Sequence, residues 1–454
     1  MRPRRLSEIA DVLGGNVEGA DVVLSSVEVD SRRVRPGDLF VAMRGERDDG
    51  HAYVGDAFAA GAVAAIVRAG GPAAPGPTVR VAETEGVLLR LAAEERDTMN
   101  AVVVGITGAN GKTSTKDLAA AIIGTRLRTH ASPASFNNEV GVPLTILGAP
   151  DATEALVLEM GARRAGDVEL LSRLARPDVV VVTNVGVAHM EIFGSWDAIV
   201  RSAAEPVATL GRDGVAVLNA DDPIVRDLRR PPPERTVLFG TSDEADVRAR
   251  DVRLDDGGRA SFSLHVGGQR EPVALGIPGE HMVSNALAAA AAATSVGMTL
   301  AECSAGLKGA SVSAWRMETF TTDGGLVIVN DAYNANPESM AAGLKAARWI
   351  ARGSRLVAIL GPMAELGPVA LEEHERLGDL AARLRVDRLI AVGENARPIA
   401  MAAIRQGSGP DDVVVVDTPE EAAAAVRAWA IAGDVVFIKG SRVAGLERVA
   451  EALR

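Results

Sequence analysis

The sequence predicts an α/β protein of three domains, and three observations carry the prediction: its length, its kind of apolar content, and an alternation of β-branched runs with helical stretches. At 454 residues the chain exceeds one ordinary core, and a prior of roughly 150 residues per domain gives about three. Hydrophobic residues make up 47% and aromatics only 3%, a balance of Ala, Val and Leu that suits helices and buried parallel strands better than an aromatic-rich sandwich. The third observation is the order of the runs themselves.

Residues 1–98 alternate short strands with Ala-rich helices, broken by the Gly/Pro loop 70–77, and read as a small mixed α/β domain. A central domain, 99–318, begins with the β-branched run 101–106, continues with apolar runs at 155–159, 178–183 and 214–218, and is expected to carry a mainly parallel sheet. Polar alternation at 260–266, within the weaker stretch 243–278, predicts antiparallel strands there. From 319 to 454 the alternation resumes with runs at 326–329, 356–360, 388–392, 413–416 and 435–438, which predict a Rossmann-like, doubly wound domain.

Composition excludes several function classes. A formal charge of -12 argues against a general nucleic-acid or membrane-surface binder, because those need a broad cationic field. The run 286–296 is far short of the ~20 residues that span a bilayer and predicts a packed helix. The basic start, Arg2 to Arg5, leads into acidic Glu8 and Asp11 without an apolar stretch, so no export signal is expected. The single cysteine, Cys303, in an Ala-rich context, predicts a small buried residue and suits a reducing cytoplasm.

The strongest chemical signal is Thr107, Gly108, Ala109, Asn110, Gly111, Lys112 and Thr113, followed by Ser114, between a strand and a helix. Glycines let backbone N–H groups approach phosphate oxygens, the lysine serves the β- and γ-phosphates of ATP, and the Thr113 hydroxyl suits Mg²⁺. The strict phosphate-loop pattern has glycine where this chain has Ile106. Glu159, at the end of a predicted strand, is the expected carboxylate for the metal, the alternative being a solvated edge glutamate. His189 also follows a strand end, where ligands collect in α/β sheets, although a lone histidine is as readily structural as catalytic.

Together with further motifs these residues resemble the Mur ligase family over nearly the whole chain. In the first domain the resemblance rests on Asp30, Ser31, Arg32, residues 36–42, Arg44 with Gly45, and Asp49 to His51. In the central domain it rests on residues 107–115, 136–143 and 159–161, on His189 to Glu191 with 193–195, on 219–223, and on 279–285. At the junction to the third domain it rests on Arg316 to Glu318 and residues 330–339, and beyond that on 360–367 and 439–442.

The resemblance implies an ATP-dependent amide ligase working through an acyl phosphate, with Lys112, His189 and Arg316 as catalytic residues. It implies that His281, Asn285, Arg316, Asp331 and Asn336 join the phosphate loop in binding the nucleotide, and that Thr113, Glu159 and His189 hold Mg²⁺. Ser31, Arg32, Arg44, Asn137, Asn138, Asn334 and Ser339 would contact substrate, Asn334 and Ser339 from a loop that is otherwise ordinary Asn-Pro turn chemistry. The segment at His281 equally reads as the start of an Ala-rich helix.

Asn334 to Glu338 stands where the family's adder of the third peptide residue carries an Asp-Asn-Pro-Arg signature. The reactants implied are therefore UDP-N-acetylmuramoyl-tripeptide and D-alanyl-D-alanine, handled by a monomer whose third domain closes about a hinge at 316–325. Two positions depart from the family: Pro362 replaces the usual Asp, and Ala203 replaces a lysine whose carbamate helps hold a second Mg²⁺, leaving Glu205 as the candidate substitute. The departure at 203 keeps two alternatives open, a ligase with another acceptor and a non-catalytic relative. A folate ligase is disfavoured by the first-domain motif, and a GTPase switch by the lack of an Asn-Lys-x-Asp signature.

Overall fold

The computed structural model describes residues 1–454 except 46, 47, 72, 188, 189 and 229–234. The chain divides into two compact units. One comprises Met1–Gly105, Leu127–Gly161 and Glu169–Asp178; the other comprises Ile106–Arg126, Ala162–Val168 and Val179–Arg454.

The first unit contains a five-stranded sheet in the order Asn16–Glu18, Thr78–Val81, Ala64–Arg68, Asp38–Val41, Ser26–Glu28. Its pairs are parallel except the first, which is antiparallel. Phe40, Val54, Ala57, Ala65 and Val67 build the core on one face. The basic N-terminal stretch leads into the helix Leu6–Leu13, which buries Leu6, Ile9, Ala10 and Leu13 at helical spacing and ends on Gly14 in the left-handed region. The same unit holds the parallel pair Thr129–Ala131 and Ala155–Glu159, and the helix Gly141–Leu147 packed on Val87–Thr98.

In the second unit Val179–Val182, Val215–Asn219, Arg235–Gly240 and Val247–Leu254 pair in parallel succession. Arg259–Val266 and Gln269–Pro278 then add antiparallel, as the polar alternation predicts. The helix Met282–Ser295 buries every residue from Ala286 to Ala293. Alanine methyls let it lie close both to the helix Lys112–Ile123 and to the strands beneath it, which accounts for an apolar run with no polar face.

The C-terminal sheet has six strands in the order Glu318–Thr321, Val327–Asn330, Val435–Lys439, Leu356–Leu360, Arg388–Val392, Val413–Val416. All pairs are parallel except the first. The strand order reverses as expected for a doubly wound sheet, and Ile328, Val357, Ile359, Ile390, Val436 and Ile438 fill one face. Among the described residues no helix is long and apolar enough to cross a membrane.

Cys303 is buried in the helix Leu300–Gly309, and burial pushes its thiol up to about 12. The native protein is therefore expected to leave this thiol unmodified by a thiol-reactive dye at pH 8, and to react only when unfolded. Rapid labelling of the folded protein would contradict the burial.

Candidate active site

The phosphate loop is braced from behind by residues 183–184. The Thr183 hydroxyl donates to the Asn110 carbonyl at 2.6 Å, the Asn110 N–H donates to Asn184 Oδ1 at 2.7 Å, and the Ala109 N–H donates to the Asn184 carbonyl at 3.0 Å. Gly108 and Gly111 have φ of +132° and +79°. A Cβ on Gly111 would lie 2.2 Å from Asn285 Oδ1, and one on Gly108 would lie 2.1 Å from Thr183 Oγ1, so both positions require glycine. The loop feeds directly into the helix Lys112–Ile123, whose first N–H groups and dipole favour an anion. Gly111→Ala is expected to raise KM for ATP by about tenfold to a hundredfold, because the loop must shift to admit the methyl; nucleotide titration checks it, and unchanged binding would contradict the geometry.

Lys112 Nζ donates to the Gly108 and Ala109 carbonyls at 2.7 and 3.0 Å, which fixes the ammonium over the loop. The Thr113 hydroxyl is buried and accepts a hydrogen bond from the Arg316 guanidinium at 2.9 Å. Ser114 is buried on the same helix. Asn336 reaches the loop from the C-terminal sheet side, its Nδ2 donating to Asn110 Oδ1 at 2.6 Å.

Arg316 is set by its own backbone and by a buried ion pair. Its neighbours Trp315 and Met317 both have positive φ, 61° and 54°, a conformation that L residues adopt at a cost. The Met317 N–H donates to Asp331 Oδ1 at 3.1 Å, and Lys439 Nζ donates to Asp331 Oδ2 at 2.6 Å and to the Asn334 carbonyl at 2.9 Å. The Arg316 guanidinium then lies over the Tyr333 ring, 4.4 Å from its centre. Desolvation lowers the Lys439 ammonium from its usual range, with Asp331 opposing. His281 sits at the start of the Ala-rich helix, where burial holds its imidazole low and Asp331 again opposes.

Glu159, in the other unit, is 1% exposed. Its Oε1 accepts from Asn137 Nδ2 at 2.8 Å, while its Oε2 has no hydrogen-bond partner among the described residues. A buried carboxylate oxygen with an open lone pair suits a hard cation. Asn138 Oδ1 accepts from the Gly141 N–H at 2.9 Å, at the start of the helix Gly141–Leu147. Of the first-domain residues, Ser31 is half-buried, Arg44 is exposed on a bridge to Asp49, and Arg32 is exposed and clamped on Asp30. That hydrogen-bonded clamp holds the Asp30 carboxyl down to about 2.

Several expected residues have local work. Asn336 and Ser339 form a reciprocal cap on the helix Pro337–Ile350, so the Ser339 hydroxyl accepts from the Asn336 N–H at 3.1 Å. Asn334 is exposed, and its carbonyl is taken by Lys439. His189 lies outside the described residues. The Ala203 side chain packs against the valine core around Val180 and Val182, and the Glu205 carboxylate accepts from the Gly166 N–H at 2.8 Å. Sequence reasoning did not single out Thr183, Tyr333 or Lys439; the only signal for them was that each lies within or beside a quoted motif.

Comparison with known proteins gives three matches to family profiles: "Mur ligase family, catalytic domain" over residues 23–96, "Mur ligase middle domain" over 106–293, and "Mur ligase, glutamate ligase domain" over 315–442. The chain is 40% identical to the UDP-N-acetylmuramoyl-tripeptide--D-alanyl-D-alanine ligase of Mycobacterium tuberculosis, covering 99% of this chain and 97% of that protein. It is 34% identical to the Bacillus subtilis enzyme of the same name, covering 100% and 99%. Among solved structures it is similar to MurF from Acinetobacter baumannii, with a TM-score of 0.87 at 28% identity over 100% and 99% of the two chains. MurF from Thermotoga maritima in complex with ADP gives a TM-score of 0.79 at 29% identity over 94% and 96%. The chain shares its three-domain α/β architecture with these two MurF structures.

Proposed function

The chain belongs to the Mur ligase family, and we propose that it joins D-alanyl-D-alanine to UDP-N-acetylmuramoyl-tripeptide at the expense of ATP, in the synthesis of peptidoglycan precursor. The observation that carries this reading is full-length similarity to relatives of that name, 40% in the first case, with the phosphate loop and its Arg316 partner in place.

A carboxylate is a poor acyl donor, because its charge repels nucleophiles and its oxygen leaves badly. In the proposed reaction the terminal carboxylate of the tripeptide attacks the γ-phosphorus of ATP and ADP departs, leaving an acyl phosphate. The amine of D-alanyl-D-alanine then attacks the acyl carbon, the C–O bond breaks, and inorganic phosphate leaves with one oxygen of the original carboxylate. Lys112 and Arg316 meet the negative charge that accumulates in the first step. Asn336, Asn285 and His281 complete the nucleotide's surroundings on the loop side, and the Asp331 bracket keeps Arg316 in place. Ser31, Arg32, Arg44, Asn137, Asn138, Asn334 and Ser339 are the proposed contacts to the amide-forming substrates.

On the family resemblance the proposed Mg²⁺ ligands are the Thr113 hydroxyl and the Glu159 carboxylate; that Glu159 Oε2 has no hydrogen-bond partner among the described residues supports its share of the assignment, and His189 is proposed for a second ion. Bound there, Mg²⁺ supplies charge neutralisation of the phosphates. Glu205 remains the proposed substitute for the family carbamate, and its bond to Gly166 must then be exchanged. Domain closure about 316–325 is proposed to exclude water from the acyl phosphate, with the positive-φ residues Trp315 and Met317 at the pivot. The proposed setting is the cytoplasm, which supplies ATP and nucleotide-linked substrates, and the proposed enzyme is a monomer, as the family resemblance implies.

The test is phosphate release from Mg-ATP and UDP-N-acetylmuramoyl-tripeptide, with and without D-alanyl-D-alanine, with the product weighed by mass spectrometry. Pentapeptide that needs both substrates is expected. Turnover without pentapeptide would move the reading to another acceptor, and nucleotide binding without turnover to the non-catalytic relative that Ala203 keeps open.

A further inference from the structure

We propose that His374 is a positioning residue for the ligation: by tying Met363 to Ala370 it holds the loop 361–369 in the form that seats on residues 190–193, immediately after His189.

His374 is 3% exposed in the helix Ala370–Arg383. The Met363 N–H donates to its Nε2 at 2.9 Å, so Nε2 carries no proton, and its Nδ1–H donates to the Ala370 carbonyl at 2.6 Å. The ring thus bridges two backbone points at either end of the loop. Burial lowers its pKa, in keeping with a neutral imidazole in this role. The near end of the loop is further fastened to the strand-end segment 439–441: the Gly361 N–H donates to the Lys439 carbonyl at 2.8 Å and the Ala364 N–H to Ser441 Oγ at 2.8 Å.

What this fastening presents is a seat for the short helix Met190–Phe193. The Glu191 N–H donates to the Glu365 carbonyl at 3.2 Å. Gly367 has φ +55°, and a Cβ there would lie 3.2 Å from Glu191 Cα, so the loop and the short helix meet backbone to backbone. Met363 and Leu366 are buried beneath the loop, which leaves it little freedom to find the seat another way. The role in ligation rests on the proposed function, in which His189 serves the second metal; the seating itself does not.

Three variants and two readouts decide. His374→Gln keeps an acceptor for the Met363 N–H, His374→Asn keeps only a donor for the Ala370 carbonyl, and Gly367→Ala disturbs the seat without touching the ring. Hydrogen exchange of the Glu191 amide is expected to quicken about tenfold in His374→Asn and Gly367→Ala and to stay near wild type in His374→Gln. In the ligase assay kcat should fall about tenfold in His374→Asn and Gly367→Ala, with KM for ATP within about twofold, because the phosphate loop is not reached. Exchange at Glu191 unchanged in His374→Asn and Gly367→Ala overturns the seating. A loss of kcat and ATP affinity together, with faster exchange throughout the C-terminal sheet, overturns positioning in favour of general stability. Absence of ligase product in the wild type would defeat the proposed function, while the exchange measurement would still read the seating.

Discussion

Lys112→Met is expected to lower kcat/KM for ATP by about a thousandfold or more while leaving the unfolding midpoint nearly unchanged. Methionine keeps most of the aliphatic stem, so the loop loses an ammonium and not its packing. That ammonium is fixed over the loop by the Gly108 and Ala109 carbonyls, at 2.7 and 3.0 Å. The proposed first step brings a carboxylate against a nucleotide already carrying several negative charges, and a preorganised cation is worth most where charge accumulates. Steady-state kinetics with denaturant unfolding in parallel checks this; a variant that keeps more than about a tenth of the activity would remove Lys112 from the proposed transition state.

Lys439→Met is expected to cost about 3–5 kcal/mol of stability in the C-terminal sheet, because it strands the buried Asp331 carboxylate. The pair joins side chains that are 4% and 12% exposed, at 2.6 Å. Adding Asp331→Leu should recover much of the loss, since replacing both partners by apolar groups removes the uncompensated charge. The same double change should leave ATP binding weak, because Asp331 also accepts the Met317 N–H beside Arg316. Urea unfolding followed by probes in the C-terminal sheet, with ATP titration of each variant, separates the two effects.

Most of the fold was legible because its signals are local. The parallel strands Leu356–Leu360, Arg388–Val392 and Val413–Val416 stand as expected, being apolar runs cut by turns. The phosphate loop was legible for the same reason, since glycine, lysine and hydroxyl fall within seven consecutive positions. What was illegible depends on sequence distance. Thr183 braces Asn110 across 73 positions, and Lys439 neutralises Asp331 across 108, pairings that no local periodicity encodes. Ser339 shows what a sequence motif leaves out: the residue expected to contact substrate also caps its own helix, its hydroxyl accepting from the Asn336 N–H. Ala203 was legible as a departure, but only the structure shows its methyl against the valine core.

The most direct test of the ligase account follows the oxygen. UDP-N-acetylmuramoyl-tripeptide labelled with ¹⁸O at both oxygens of its terminal carboxylate is incubated with the protein, Mg-ATP and D-alanyl-D-alanine, and the released phosphate is weighed. The account predicts one labelled oxygen in the phosphate for each pentapeptide formed, because the carboxylate oxygen that attacked the γ-phosphorus leaves with it. Pentapeptide accompanied by unlabelled phosphate would contradict the acyl phosphate.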